Sequence, residues 1–282
     1  MTDEIEATGE ALARSLAEVR EAEPLVQQLT NEVTKNDLAN VTLSWGALPV
    51  MADAPGEAPE MAELAGAILL NTGRMTGSNV DALHAAGKAA NGLDVPVVLD
   101  PVGAGTTPTR KEVHTSLLEE VEFDVINGNY GEITHLAGEE ADVKGVESVG
   151  EYEEVTGSAR ALAETTGAVV VASGVEDVVA GSDRVYRVRA GDEMLSKVVG
   201  TGCMLGATLA AFAGGHEDAF SATLHGTLAY GLAGERATDL EYNGPASYRV
   251  NFLDSIAGFT PEVAEGLDPT DPSWRVRCSS PA

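Results

Sequence analysis

Positive charge is what this 282-residue chain has least of: 17 lysines and arginines, only five of them lysine, stand against 45 aspartates and glutamates, for a net charge of −28. A surface of that sign repels phosphate backbones and anionic lipids, so nucleic-acid binding and membrane-surface binding are excluded as expected functions. The acids are dispersed along the chain rather than gathered in a tail. That pattern reads as a solvated, halophilic surface, on which counterions screen self-repulsion. Cysteine is nearly absent: Cys203 and Cys278 lie far apart, the second in a Pro- and Ser-rich stretch, which supports neither a disulfide framework nor a zinc site. A reducing, cytoplasmic location is the expectation. There is no run of about 18 apolar residues to span a bilayer, and the acidic opening MTDEIEATGEALARSLAEVREAE has no apolar stretch of signal-peptide type. The five histidines show no metal-ligand spacing and read as surface or packing residues. No GxxxxGK[ST] loop occurs, so ATP, if bound, sits on another scaffold.

What is present is a 44% hydrophobic chain in which short apolar runs alternate with amphipathic stretches. The runs are AGAILLN (65–71), VPVVLD (95–100), FDVIN (123–127) and AVVVAS (168–173); residues 79–91, 110–121 and 152–166 lie between them as helices. Runs apolar on both faces suit a sheet covered on both sides, so the expected fold is α/β, a mainly parallel central sheet with helices on both faces. Two further strands, 177–180 and 184–189, read as a hairpin around GSD, followed by helices over 204–212 and 217–238. Residues 1–261 are expected to form one domain. Residues 262–282 read as a last helical turn and an acidic, loosely held tail.

The four runs end in Asn71, Asp100, Asn127 and Ser173, and ligands of open α/β sheets bind beyond the carboxyl ends of strands. The plainer reading is that a strand must leave the core through something polar. In DPVGAGTTPTRKE (100–112) a carboxylate at a strand end precedes a glycine loop and a helix start. Asp100 there could hold Mg²⁺ through waters, or the loop could be a structural turn. INGNYGEITHLAG (126–138) puts Glu132 past the next strand, where it could share a metal with Asp100 or merely complement a helix dipole. In VVGTGCMLGATLAAFAG (198–214) the glycines open a helix suited to an anion. Cys203 sits at the junction, where the helix N-terminus would favour thiolate and a nearby phosphate would oppose it. The alternative is a small residue packed under the loop. Met51, in GALPVMA, reads from composition alone as core.

Six segments in order, TNEVTKNDLANVTLSWGALPVMA (30–52), DPVGAGTTP (100–108), GNYGEITHLAG (128–138), ASGVEDVVAG (172–181), KVVGTGCMLG (197–206) and GPASYRVNFLD (244–254), resemble the hydroxyethylthiazole kinase family, over roughly residues 25–260. The resemblance implies a ribokinase-like fold and ATP-dependent phosphorylation of the primary alcohol of 4-methyl-5-(2-hydroxyethyl)thiazole in thiamine salvage. It also implies Mg²⁺ and a homotrimer with its sites at subunit interfaces. It assigns catalysis to Cys203, substrate contacts to Met51 and Gly200, ATP contacts to Asn127, Ser173 and Gly202, and the metal to Asp100 and Glu132. Two positions depart from the family pattern. Asn127 replaces an arginine that meets nucleotide phosphates, and Gln27 replaces a histidine. Related kinases of hydroxymethylpyrimidine or pyridoxal, and a ligand-binding homologue without turnover, are the alternatives; Cys203 and Met51 speak against the former.

Overall fold

The computed structural model describes residues 7–138, 149–267 and 274–279. In chain order the elements are α1 (Gly9–Ala22), β1 (Leu25–Leu29), α2 (Lys35–Trp45), β2 (Leu48–Val50), α3 (Ala58–Ala62), β3 (Ala67–Asn71), α4 (Gly77–Asn91), β4 (Val97–Asp100), α5 (Pro108–Glu120), β5 (Val125–Asn129), α6 (Tyr130–Leu136), α7 (Val149–Thr166), β6 (Val169–Ser173), β7 (Asp177–Ala180), β8 (Val185–Val188), α8 (Thr201–Gly215), α9 (Ala219–Arg236), α10 (Pro245–Ala257), α11 (Pro261–Glu265) and β9 (Val276–Ser279). They build a nine-stranded sheet of order β2-β1-β3-β4-β5-β6-β7-β8-β9. Pairing is parallel from β2 through β6 and antiparallel from there to β9.

The alternation of strand side chains decides which face each residue serves. Leu69, Val98, Val125 and Val171 belong to the core beneath α1, α2, α8, α9 and α10. Ile68, Leu70, Val97, Leu99, Ile126, Val170 and Ala172 belong to the core on the opposite face, with residues of α4, α5, α6 and α7. The same parity carries Asn71, Asp100, Asn127 and Ser173 to the α8 side, each two residues beyond an apolar member of that core.

α8 lies close to the sheet because it is small where they meet. A Cβ on Gly206 would stand 3.3 Å from Leu69 Cδ1 and 3.6 Å from Asp100 Cβ. Trp45 anchors the next layer: its Nε1 donates to Thr208 Oγ1 at 2.9 Å and its ring meets Phe212 edge-on at 5.6 Å.

The structure departs from the sequence reading in three places. LVQQL forms β1 although glutamines occupy its centre. Both are buried, Gln28 donating to Thr42 Oγ1 (2.7 Å) and Gln27 to the carbonyls of Ala52 and Ala58 (2.9 Å each). β5 continues two residues past Asn127, because Gly128 and Asn129 keep pairing with Ala172 and Ser173. The stretch read as a loosely held tail instead contributes β9, whose Tyr186↔Cys278 and Val188↔Val276 register extends the sheet. Among the described residues no helix is long and apolar enough to cross a membrane.

Candidate active site

The carboxyl ends of β1, β3, β4 and β5 converge on the N-terminus of α8. Gly200 caps that helix at φ +90°, a left-handed conformation open to glycine, and a Cβ there would collide with Thr34 Cγ2. The first intrahelical bond of the turn runs from Met204 N–H to Gly200 O. The N–H groups of Thr201, Gly202 and Cys203 are thus left without an acceptor within the helix, at its positive end. Gly202 is exposed, with no atom within 4 Å of where its Cβ would be, so the helix tip is approachable.

Three polar side chains from separate strand ends converge on the thiol. Asn31 uses Oδ1 to accept the N–H groups of Val33 (3.0 Å) and Thr34 (3.2 Å), closing a local turn. Its Nδ2 points to Asn71 Oδ1 (3.1 Å) and to Cys203 Sγ (3.8 Å). Asn71 donates to Cys203 Sγ at 3.2 Å and to Asp100 Oδ2 at 2.5 Å. Asp100 is itself hydrogen-bonded to Cys203.

The setting weighs on the thiol from a side that the loop sequence does not show. Burial first, and then the carboxylate of Asp100, push Cys203 up to about 12, so the thiol stays protonated in spite of the helix terminus. Asp100 is pushed up to about 7 by burial and by the charge of Glu132, against hydrogen bonds from Cys203 and Asn71. Glu132 is raised by burial, opposed by two main-chain N–H donors and by Arg110.

Glu132 is the third helical residue of α6 and completes a capping box with Asn129. Its Oε2 accepts Asn129 N–H (2.8 Å) while Asn129 Oδ1 accepts Glu132 N–H (2.9 Å). Its Oε1 accepts Gly103 N–H at 2.7 Å from the loop after Asp100. Glu132 is thus a first-turn acid that caps its helix, and its charge also acts on Asp100. Two buried carboxylates, both raised by burial and one raised further by the charge of the other, are a donor set suited to a divalent cation. Among the described residues no group of three or more histidines, cysteines or acids could hold one. Magnesium held by one or two carboxylates, with phosphates and waters completing its shell, is the kind of site this allows.

The remaining residues fall on either side of this centre. Asn127 is 1% exposed; its Nδ2 donates to Gly202 O (3.2 Å) and its Oδ1 has no partner among the described residues, so it reaches outward only through the first turn of α8. Ser173, half-buried, donates to Gly128 O at 3.3 Å on the neighbouring strand. Met51 follows β2 at the far edge of the sheet, partly buried against the α8-side core, in a loop tethered by Lys35 Nζ to Asp53 Oδ2 at 2.6 Å. The sequence reading missed Asn31, and Asn71 drew notice only as a strand end. The TN pair at the head of the first matching segment was the signal for the first.

A parallel sheet with an antiparallel margin, its carboxyl ends facing a glycine-capped helix, is the architecture shared with a ribokinase-like superfamily protein of Enterococcus faecalis, at a TM-score of 0.62 and 11% identity. Residues 16–262 match the hydroxyethylthiazole kinase family, and the chain belongs to it. It is 49% identical to a hydroxyethylthiazole kinase of Natronomonas pharaonis over 94% of both chains. To one of Haloquadratum walsbyi it is 48% identical over 94% of this chain and 93% of the other. The solved structure of a hydroxyethylthiazole kinase protein from Pyrococcus horikoshii superposes with a TM-score of 0.85 at 34% identity, covering 95% of this chain and 99% of that one.

Proposed function

We propose that the chain transfers the γ-phosphoryl group of ATP to the primary alcohol of 4-methyl-5-(2-hydroxyethyl)thiazole, at the centre formed by Cys203, Asn71 and Asp100. The observation that carries the site assignment is the placement of the Cys203 thiol, hydrogen-bonded to the buried carboxylate of Asp100, beside the free N–H groups of α8. The alcohol oxygen attacks phosphorus, the bond between phosphorus and the bridging oxygen breaks, and ADP leaves. The helix tip, at Thr201, Gly202 and Cys203, faces the charge carried by the transferred group. Because the transition state is loose, the hydroxyl proton leaves late. Cys203 holds its own proton, so its contribution is to orient the hydroxyl. The hydrogen-bonded Cys203–Asp100 pair then accepts the proton as a unit.

Asp100 and Glu132 are the residues that would hold Mg²⁺, which when bound neutralises charge on the phosphates. Asn127 supports the nucleotide by holding the Gly202 carbonyl, and Ser173 offers a hydroxyl from the neighbouring strand end. Gly200 shapes the floor under the substrate and Met51 its apolar wall. Val33 and Val199, 75% and 74% exposed, flank Thr34 and Gly200 at the rim. Apolar surface there fits a homotrimer whose neighbouring subunit closes the site and brings Met51 into the pocket. A cytoplasmic enzyme with a halophilic surface completes the reading.

A coupled assay of ADP release, run with the thiazole alcohol and with hydroxymethylpyrimidine, tests the reaction. Turnover with the first and at most a few per cent of it with the second is expected. Preference for the pyrimidine, or no turnover with either, would defeat the assignment. Sedimentation in molar salt tests the trimer.

A further inference from the structure

Arg110 stands in the first turn of α5, the positive end of that helix, where the dipole favours acids over cations. Its guanidinium is spent on main-chain carbonyls. Nη1 donates to Val102 O (2.5 Å) and Thr72 O (2.9 Å), and Nη2 reaches Gly73 O at 3.5 Å. Thr72 and Gly73 directly follow Asn71, and Val102 lies two residues past Asp100. One planar fork therefore fastens together the two loops that begin at the residues bonded to Cys203.

The surroundings are built to keep that fork in place. Gly103 takes φ +72°, and a Cβ on it would come within 3.2 Å of Arg110 Cδ and Nε. The Thr72 hydroxyl lies 3.3 Å from Asp100 O and 2.8 Å from His114 Nε2, adding a second tie between the same loops. On the outer side Gly103 N–H is held by Glu132.

We propose that Arg110 is a positioning residue for phosphoryl transfer: without touching the substrate, it sets the spacing between Asn71 and Asp100 and thereby the hydrogen bonds that Cys203 accepts from the first and donates to the second. The effect on turnover rests on the reaction proposed above; the effect on the loops does not. A lysine can satisfy one or two of these carbonyls as a point charge but cannot hold three with a planar fork.

The test uses the full chain with Arg110→Ala and Arg110→Lys, reading kcat, both KM values and backbone amide exchange. For Arg110→Ala, a loss of about thirtyfold in kcat is expected, with KM for the thiazole alcohol changed less than about threefold. Exchange should quicken only in residues 72–76 and 101–107, and millimolar guanidinium should restore part of kcat. Arg110→Lys should fall between the two. Unchanged kcat, unchanged exchange in those loops, or exchange quickened throughout the sheet would each overturn the proposal. Absence of turnover in the parent enzyme would defeat the reaction, and the exchange measurement would still decide whether Arg110 fixes the loops.

Discussion

The two ends of α8 both carry clusters of polar and titratable groups, and they differ in how those groups are satisfied. At the C-terminal end, His216 accepts from or donates to Ser15 Oγ at 2.5 Å through Nε2, and its Nδ1 lies 2.9 Å from Glu18 Oε2. These groups line a pocket of about 520 Å³ together with Arg14, Asp218 and His225. Serine, histidine and carboxylate in a row look like catalytic machinery, yet Ser15 is buried on α1, 3% exposed. The arrangement fastens α1 to the end of α8. At the N-terminal end the groups oppose one another: Asp100 is raised to about 7, Cys203 to about 12, and the buried oxygens Thr30 Oγ1 and Asn127 Oδ1 have no partner among the described residues. The proposed centre lies where groups are held away from their ordinary protonation states beside unclaimed N–H donors; at the other end burial lowers His216 too, but its partners are in place.

Substitution at the reactive end should break this contrast most severely. Asp100→Asn should lower kcat by about a hundredfold or more, since it removes a proposed metal ligand and half of the proton-accepting pair. The same change removes an ionisation that burial and Glu132 oppose. A raised carboxyl pKa makes the native state the tighter proton binder, so the parent loses stability as pH climbs from the ordinary carboxylate range through about 7. Thermal unfolding without divalent cations should accordingly show the Asp100→Asn variant gaining over the parent at pH 8 but not at pH 4. Wild-type turnover in this variant at saturating Mg²⁺ would remove Asp100 from the centre.

Cys203→Ser comes next, with an expected loss of more than about tenfold in kcat, or about 1.4 kcal/mol, and little change in KM for the thiazole. Cys203→Asp should retain substantial activity, because it supplies a base where the parent holds a protonated thiol. Full activity with serine combined with a folded, inactive aspartate variant would mean that Cys203 only packs. Asn127→Arg is a milder intervention, expected to lower KM for ATP several-fold while leaving that for the thiazole nearly unchanged. The opposite ordering would show that another group already meets the phosphates.

At the satisfied end the expectation inverts. Ser15→Ala and His216→Gln should each cost about 1–3 kcal/mol of stability and leave kcat within twofold; a large fall in kcat would erase the distinction between the two ends. Salt should act most gently. Raising it from about 0.1 M to 1 M shortens the Debye length from about 10 to 3 Å, so the thermal midpoint should rise as exposed acids such as Glu18 are screened. A flat or falling midpoint would argue against a halophilic surface.

Much of the sheet was legible because β3, β4, β5 and β6 must be apolar on both faces, a pattern few other structures impose. β1 was not, because its buried glutamines find partners in α2 and in the loop after β2 that no local pattern announces. β9 was hidden for a related reason: VRCS has little strand character of its own, and only β8 gives it a place. Asp100, Gly200 and Cys203, which the structure brings to one place, were named by the resemblance. The hydrogen-bonded row Asn31–Asn71–Asp100 could not, since its members are brought together by strand order. Nor could the rise of the Cys203 thiol be read, because the helix terminus is a local feature and the burial that outweighs it is tertiary.

α8 is a stiff bar clamped at the end remote from the chemistry. A methyl group on Gly214 would stand 2.9 Å from Pro24 Cβ and 3.1 Å from Gly66 O, and one on Gly215 would stand 2.9 Å from Val19 Cα. Main chain cannot yield as a side chain would, so the bar itself must tip about that clamp. Roughly 16 Å away along the axis, the tip carrying Cys203 would swing against Asn71. The mechanical tolerance of the proposed centre is thus set in part by side chains that Gly214 and Gly215, at the far end of the helix, do not have.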